Sequence, residues 1–305
     1  MLFSDTFLKG LYMKKILVAA ALLASASAAL AQTAIYGRIN ATVDSTKTGA
    51  VRANGMVNDI SNFGITVRED LGNGLQARAQ VETSIASHDP MTGAATQLGD
   101  RQSTVGLTHR MGSVDLGRNV HGLFLTVADS DAFNALYGSI AGDIHNLRGL
   151  RISNGAFVRV NAMPGVSLGI DTTHTPVGAE ARIYSAGGSL GPVRASLARY
   201  DQGTEVSTVL GASTKLGATS LFYSFSDNKG AVTQRGHLAG ASHKIGVYTV
   251  KAGYGRTDND IRAWNVGAEY ALSKRTDLLI SYRNVDKVAT ANDIKQIGVG
   301  VTHRF

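Results

Sequence analysis

The sequence predicts an all-β protein, a transmembrane antiparallel β-barrel of sixteen strands, with fourteen strands as the alternative. Three observations support this fold class. Segments of about ten residues alternate apolar and polar side chains, a period of two that is typical of strands. Short turns alternate with longer polar connections, an arrangement typical of outer-membrane barrels. Mean hydropathy is 0.00 although 44% of the residues are hydrophobic, so apolar and polar positions balance.

The composition excludes several other classes of protein. The chain has 305 residues, of which 17% are charged, 35 are glycine and none is cysteine. Without cysteine there can be no disulfide scaffold and no cysteine-ligated metal centre. The formal net charge is +7, yet no run of Lys and Arg is long enough to form a nucleic-acid-binding arm. We therefore expect no metal, no cofactor and no nucleic-acid partner.

The N-terminal residues have the pattern of an export signal. A basic start at Met13 is followed by an apolar run over residues 16–24, which is short for a membrane-spanning helix. Small residues ending in Ala31 then fit the site that signal peptidase cleaves. We predict a signal peptide over residues 1–31, with translation starting at Met13, and a barrel domain over residues 32–305.

The alternation itself indicates strands with one apolar and one polar face. One example sets Leu75, Ala77, Ala79 and Val81 against Gln76, Arg78, Gln80 and Glu82. Strands of about ten residues can cross a bilayer when tilted, and this polar face is too polar for a core. Tyr248 and Tyr254, six positions apart, suit two interfacial aromatic girdles. We interpret the apolar face as lipid-facing, with a soluble sandwich as the alternative.

The turns give the strand count. Seven short turns, such as the one at residues 72–74, alternate with eight longer polar connections, such as those at residues 45–57 and 258–260. Fifteen connections join sixteen strands. An open edge would leave unpaired backbone groups in lipid, so the first and last strands should pair. A barrel of this size is too wide for side chains to fill and encloses water.

The longest connection, over residues 119–147, is the candidate functional element. Connections of this length are usually functional or disordered, and its apolar content favours a folded state. We predict that this third long loop folds inward against the barrel wall. Its acids Asp129, Asp131 and Asp143 would then face arginines across the lumen and narrow the pore. A surface loop with solvated acids is the alternative.

Strict alternation selects the arginines that face the lumen. It places five of them on the polar face: Arg38, Arg68, Arg78, Arg151 and Arg159. Arg151 and Arg159 lie opposite Ile152. Arg101 falls on the apolar side with Val105, unless a bulge turns it inward. For each arginine, a solvated structural role is the alternative.

The chain resembles the Gram-negative general porins, particularly those of beta-proteobacteria. The matching motifs run along its whole length. They include AIYGRI at residues 34–39, EDLGNGL at 69–75, GSVDLGRN at 112–119, YALSKRT at 270–276 and VGVTHRF at 299–305. Asn62 departs from the pattern, because many relatives have an arginine there. The acidic stretch of many family loops is absent, so Asp129 and Asp131 replace it by location only.

The resemblance implies a homotrimer of barrels in the outer membrane. By position, Arg38 and Arg101 match basic residues of the constriction, and Arg148 or Arg151 falls near a third. The terminal Phe305 resembles the signal that the outer-membrane assembly machinery reads. For Arg101, the resemblance and strict alternation disagree, and we give the resemblance slightly more weight.

These observations predict a general diffusion porin for ions and small hydrophilic solutes, with a weak preference for anions. A substrate-specific channel and a non-conducting structural or adhesin barrel are the alternatives. No histidine lies in a metalloprotease motif, and no serine lies in a nucleophile elbow, so we do not predict an enzyme. The expected partners are outer-membrane lipid, further copies of the chain and permeating solutes.

Overall fold

A computed structural model describes residues 31–85, 97–174, 180–231, 233–287 and 292–305. The predicted signal peptide therefore lies almost entirely outside the described residues. One antiparallel sheet contains all the strands. The strands are β1 (Gln32–Thr48), β2 (Val51–Val57), β3 (Asn62–Gly72), β4 (Leu75–Ser84), β5 (Gln102–His109), β6 (Gly112–Val120), β7 (Arg151–Met163), β8 (Val166–Thr173), β9 (Arg182–Leu190), β10 (Val193–Gln202), β11 (Glu205–Leu216), β12 (Thr219–Lys229), β13 (Gln234–Ile245), β14 (Tyr248–Thr257), β15 (Ile261–Ala271), β16 (Thr276–Lys287) and β17 (Ile294–Arg304).

The sheet closes into a barrel of sixteen strands. On one edge, residues 38–48 of β1 pair with residues 294–304 of β17. On its other edge, β1 pairs with both β2 and β3, which are two halves of one barrel strand interrupted at residues 58–61. The prediction of sixteen strands is confirmed. Closure satisfies the backbone donors and acceptors that lipid cannot.

The connection predicted at residues 45–57 is wrong in extent. β1 continues to Thr48 and forms a tight hairpin with β2 through Gly49, whose φ is +56°. Sequence alternation fades here although backbone pairing continues. A strand that rises out of the bilayer into water no longer needs one apolar face. Alternation of apolar and polar residues therefore no longer identifies this part of the strand in the sequence.

The two faces of the sheet reverse the arrangement of a soluble protein. On β1, Ile35 and Val43 are 63% and 61% exposed, whereas Asn40 and Thr42 between them are buried. The same exposed apolar row continues on β17 through Ile297, Val299 and Val301. A band of this kind fits the lipid face of a barrel. We call it the outer face.

Residues 121–150, here called the connecting segment, join β6 to β7. They contain helix α1 (Gly122–Asp129) and the single turn α2 (Ala141–Ile144). Among the described residues, no helix has the length and apolarity to cross a membrane. The segment packs on the face of the sheet opposite the outer face. Its apolar side chains form a cluster with wall residues: Leu123, Val127, Ile140 and Ile144 with Ile183, Val209 and Leu238.

Candidate functional site

Glycines on the wall make room for the connecting segment. Side chains or backbone of the segment occupy the space where a Cβ would lie at Gly211, Gly236, Gly240, Gly255, Gly267 and Gly298. A Cβ at Gly255 would lie 2.5 Å from Cγ1 of Ile144, and one at Gly267 would lie 2.9 Å from the ring of Phe133. Because only glycine leaves this space, we call these six residues the glycine bed. They fix how closely the segment approaches the wall.

Polar contacts hold the segment at defined points of the wall. The ring nitrogens of His145 lie 2.8 Å from Ser226 Oγ and 2.9 Å from Ser224 Oγ. Asn265 donates to the Gly138 carbonyl at 2.7 Å, and Gln234 donates to the Ile144 carbonyl at 3.0 Å. Partnered groups like these specify one position, because a shifted segment would leave them buried and unpaired.

His145 predicts a pH-dependent stability for this attachment. Burial, and secondarily the charge of His237, lowers the pKa of His145 to about 4, from an ordinary value of 6.5. The folded protein therefore favours neutral His145, and this stabilisation is present above pH 6.5 and lost as pH falls toward 4. We expect the free energy of unfolding to fall by roughly 3 kcal/mol across that range. Guanidinium unfolding of the micellar protein at several pH values measures it.

A histidine elsewhere in the chain provides the control for this prediction. His145→Asn should flatten the dependence of stability on pH between 6.5 and 4. His174→Asn should leave it intact, because the side chain of His174 is 64% exposed. If the unfolding free energy of His145→Asn depends on pH as steeply as that of the wild type, His145 is not the group that causes the dependence.

The three predicted acids of the segment have different surroundings. Asp143 lies 3.2 Å from Arg283 Nη1 and 3.7 Å from Lys287 Nζ. Asp129 pairs with Arg194 at 2.8 Å. Asp131 is 2% exposed and accepts hydrogen bonds from the Ala135 amide and the Ser139 hydroxyl. Its carboxylate therefore shapes the segment itself, which differs from the expectation that it faces arginines across the lumen.

Arg38, Arg101 and Arg151 lie in one electrostatic neighbourhood. The charges acting on Arg38 are those of Arg304, Asp59, Arg101 and Glu82. Those acting on Arg151 are Arg101, Glu82, Arg118 and Asp100. Arg101 is common to both sets. The combined neighbourhood, with the carboxylate that pairs with Arg304, is here called the basic cluster. It holds five arginines and four carboxylates: Arg38, Arg101, Arg118, Arg151 and Arg304 with Asp59, Glu82, Asp100 and Asp277.

Arg101 departs from strict alternation, which placed it on the apolar side. Its Nε donates to Glu82 Oε1 at 2.6 Å, and Glu82 is buried on the polar face of β4. The physical reason is that Arg101 precedes β5, which begins at Gln102, in a bend where strand periodicity does not apply.

The alternation on β7 also fails near its start. Ile152 is buried in the apolar cluster, and Phe157 is buried as well, although the two differ in parity. Asn154 between them has a φ of +51°, and the pairing with β6 shifts register here. A bulge of this kind reverses the faces on either side of it. Alternation counted back from Arg159 along β7 therefore placed Ile152 on the outer face wrongly. The same count does not determine the face of Arg151, because it crosses the bulge.

The remaining predicted arginines lie away from the basic cluster. Arg148 pairs with Glu205 and donates to Ser207 Oγ at 2.7 Å on β11. Arg78 pairs with Asp115 of β6, and Arg159 pairs with Asp171 of β8. Arg68 is exposed near the turn at residues 72–74.

Several residues of the site have no distinctive signal in the sequence. Asp59 lies in the interruption between β2 and β3 and accepts the Tyr137 amide at 2.7 Å, which ties the segment to the arginine side of the wall. Arg283 reaches both the Ser139 carbonyl and Asp143. Arg118 belongs to a motif that the sequence singled out only for its family resemblance. Alternation over residues 278–283 does place Arg283 on the polar face, opposite Leu278 and Ile280, but nothing in the sequence connects it to Asp143.

Known proteins match this chain along most of its length. A family model described as Gram-negative porin matches residues 18–290. Major outer membrane protein P.IB of Neisseria meningitidis is 36% identical over 115 residues, which are 35% of this chain and only 34% of that protein. An outer membrane porin protein of Bordetella pertussis is 26% identical over 96% of this chain and 100% of its own length.

Solved structures share the fold. The anion-selective porin from Comamonas acidovorans superposes with a TM-score of 0.80 at 21% identity, over 90% of this chain and 100% of that one. The trimer form of OmpT, an outer membrane protein of Vibrio cholerae, gives 0.66 at 10% identity, over 90% of this chain and 99% of that one. The closed sixteen-stranded barrel and the family match over residues 18–290 lead to one conclusion: the chain belongs to the Gram-negative porin family and is an outer-membrane protein.

Proposed function

We propose that this protein is a general diffusion channel for ions and small hydrophilic solutes, and that it prefers anions. The observation that carries the proposal is the basic cluster, in which five arginines outnumber four carboxylates. Fixed positive charge along a water-filled path raises the local concentration of anions and lowers that of cations. No catalytic step and no cofactor enter this proposal.

We also propose that the connecting segment lies in the lumen and forms the constriction. Its packing on the glycine bed supports this, because those glycines lie on the face that would line the channel. Two of its acids are already paired, Asp143 with Arg283 and Asp129 with Arg194. A carboxylate that already neutralises its own arginine offsets the positive charge of the basic cluster less than an unpaired carboxylate would. The electric field across the constriction therefore keeps a positive side.

The aromatic side chains of the polar face favour a general channel over a substrate-specific one. A channel specific for sugars would expose aromatic rings along its path. Phe157 is 2% exposed and Tyr200 is 6% exposed, so neither ring offers a stacking surface to a solute. Phe222 is half-buried and lies between Ser213 and Gly240 of the neighbouring strands, without an aromatic residue opposite it. The name of the Comamonas neighbour states anion selectivity for that protein, and it agrees with the charge balance found here.

The functional unit we propose is a homotrimer, assembled by recognition of the C-terminal strand. The trimer form of the Vibrio neighbour supports the oligomeric state. At the barrel seam, Gly37 and Phe305 exchange two backbone hydrogen bonds of 3.1 Å, and the Phe305 side chain is 41% exposed. An exposed terminal ring at the closing strand is available to the assembly machinery.

Planar-bilayer recording under a potassium chloride gradient tests the channel. We expect steady conductance and a reversal potential whose sign reports chloride as the more permeant ion. A cation-selective potential would overturn the anion preference, and the absence of conductance would favour the non-conducting barrel. A conductance blocked by micromolar amounts of one solute would favour the substrate-specific channel.

A further inference from the structure

The outer face carries an arginine pair near the loop end of the barrel. On β14 and β15, Tyr254 lies directly opposite Trp264, and two residues further along Arg256 lies directly opposite Arg262. Tyr254 and Trp264 are 52% and 41% exposed, and both arginines are exposed as well. Alternation puts all four side chains on the outer face, two aromatics with two cations above them.

The aromatic residues give the depth of the arginines relative to the bilayer. A second aromatic pair, Tyr248 and Tyr270, lies at the short-turn end of the same strands with ring centroids 4.9 Å apart. Tyr248 and Tyr254 are separated by about 20 Å along β14, and Arg256 lies about 7 Å further. Aromatic girdles mark the headgroup regions. Arg256 and Arg262 therefore stand at the level of the headgroups in the surface-facing leaflet.

Three other outer-face arginines at this end have a carboxylate partner, whereas Arg52, on the hairpin of β1 and β2, donates to Ser45 Oγ at 3.0 Å. Arg182 pairs with Glu180 at 3.5 Å, Arg199 with Asp201 at 3.2 Å and Arg235 with Asp227 at 3.6 Å. Among the described residues, no carboxylate lies within ion-pair distance of Arg256 or Arg262. Two like charges directly opposite each other on a sheet are unfavourable. An anion from outside the chain would relieve that repulsion.

The carboxylates around this pair are engaged elsewhere or lie beyond contact distance. Asp258 accepts the Arg235 amide at 2.8 Å. Asp286, opposite Arg262 on β16, accepts the Asn284 side chain at 2.8 Å. Asp258 and Asp260 both line the same cavity as the two arginines, without pairing with either of them. That cavity has a volume of about 320 Å³ and is also lined by Arg235 and His237, which leaves space for a phosphate group.

We propose that Arg256 and Arg262 bind the phosphate of an anionic lipid headgroup in the surface-facing leaflet. Guanidinium groups bind phosphate through two parallel hydrogen bonds each, a geometry that ammonium groups lack. Trp264 and Tyr254 lie below them, where the upper acyl chains of the same lipid would pack. The proposal depends on the outer-membrane location of the barrel and holds whichever ions the channel prefers.

Native mass spectrometry of the full protein, released from detergent, tests this proposal with two lipids of equal acyl chains. The wild type should bind anionic phosphatidylglycerol more tightly than zwitterionic phosphatidylcholine. In R256Q/R262Q we expect affinity for phosphatidylglycerol to fall roughly thirtyfold, since each cation near a membrane surface contributes about fivefold. R182Q, which removes an outer-face arginine that already has a partner, should bind like the wild type.

Each other outcome counts against the proposal. Equal binding of phosphatidylglycerol by R256Q/R262Q and wild type would overturn it, as would an equal loss in R182Q. If millimolar inorganic phosphate displaces the lipid, the site takes free phosphate and the lipid assignment is wrong. R256K/R262K should bind phosphatidylglycerol more tightly than R256Q/R262Q but less tightly than the wild type, and unchanged bilayer conductance would show that it folds. Wild-type affinity in R256K/R262K would show that the paired hydrogen bonds of the guanidinium groups play no role.

Discussion

Replacing Arg38, Arg101 and Arg151 together by glutamine should reverse the ion preference of the channel. The basic cluster would then keep two arginines against four carboxylates, so its fixed charge changes sign. A unit charge about 4 Å from a permeating ion in water changes the energy of that ion by about 1 kcal/mol. We therefore expect the ratio of chloride to potassium permeability to fall at least about fivefold. The reversal potential under a salt gradient measures this ratio.

Two control variants separate the local charge from other effects of the substitutions. R182Q/R199Q/R235Q removes the same number of charges from the outer face, where each arginine is already paired, and should leave the reversal potential nearly unchanged. The lysine variants of Arg38, Arg101 and Arg151 keep the charge and should keep the anion preference. If the glutamine variant retains the wild-type reversal potential, the cluster does not lie on the ion path.

Replacing Gly255 by leucine should displace the connecting segment. The new Cβ would lie 2.5 Å from Cγ1 of Ile144 and 3.2 Å from the His237 carbonyl oxygen. The carbonyl belongs to the sheet and cannot yield, so Ile144 and the segment must move away from the wall. Overpacking of this kind costs about 1–3 kcal/mol of stability. On the proposal that the segment lies in the lumen, this movement narrows the space that ions cross, and we also expect a smaller single-channel conductance.

Gly55 provides a matched position on another strand. It lies on β2 with open space where a Cβ would be, so Gly55→Leu should change neither the unfolding midpoint nor the conductance. Comparing the unfolding midpoint and the conductance of both variants in the same detergent and the same bilayers isolates the effect of the glycine bed. A Gly255→Leu protein with wild-type stability and conductance would contradict the close packing of segment and wall.

The glycine bed also explains part of the composition. The sequence has 35 glycines, and fourteen of those among the described residues adopt a positive φ. Several glycines instead lie beneath the connecting segment, where Ile144, Phe133 and Ser130 occupy the Cβ positions. These contacts join residues more than 80 positions apart in the sequence, and no local sequence pattern predicts them.

Strict alternation correctly predicted which face of the sheet a residue lies on in the middle of strands, and it failed at their ends. With Arg38 on the polar face, alternation placed Ile35 and Ile39 on the opposite face, and both are exposed there. A run of hydrogen-bonded strand fixes the side to which each residue points. Alternation failed for Arg101, which precedes its strand, and on β7, where Asn154 forms a bulge. The sites of interest lie where strands end, so the rule was weakest where function required it.

The sequence by itself determined the barrel. Alternation, turn spacing and the balance between apolar and polar residues follow from local chemistry, because a strand between lipid and water must present one face to each. The tertiary structure alone decided which arginines share a neighbourhood, which acids of the segment are paired, and that Arg256 meets Arg262 without a carboxylate partner among the described residues. Those relations depend on register between strands distant in sequence and on the path of one long connection, and backbone pairing sets both.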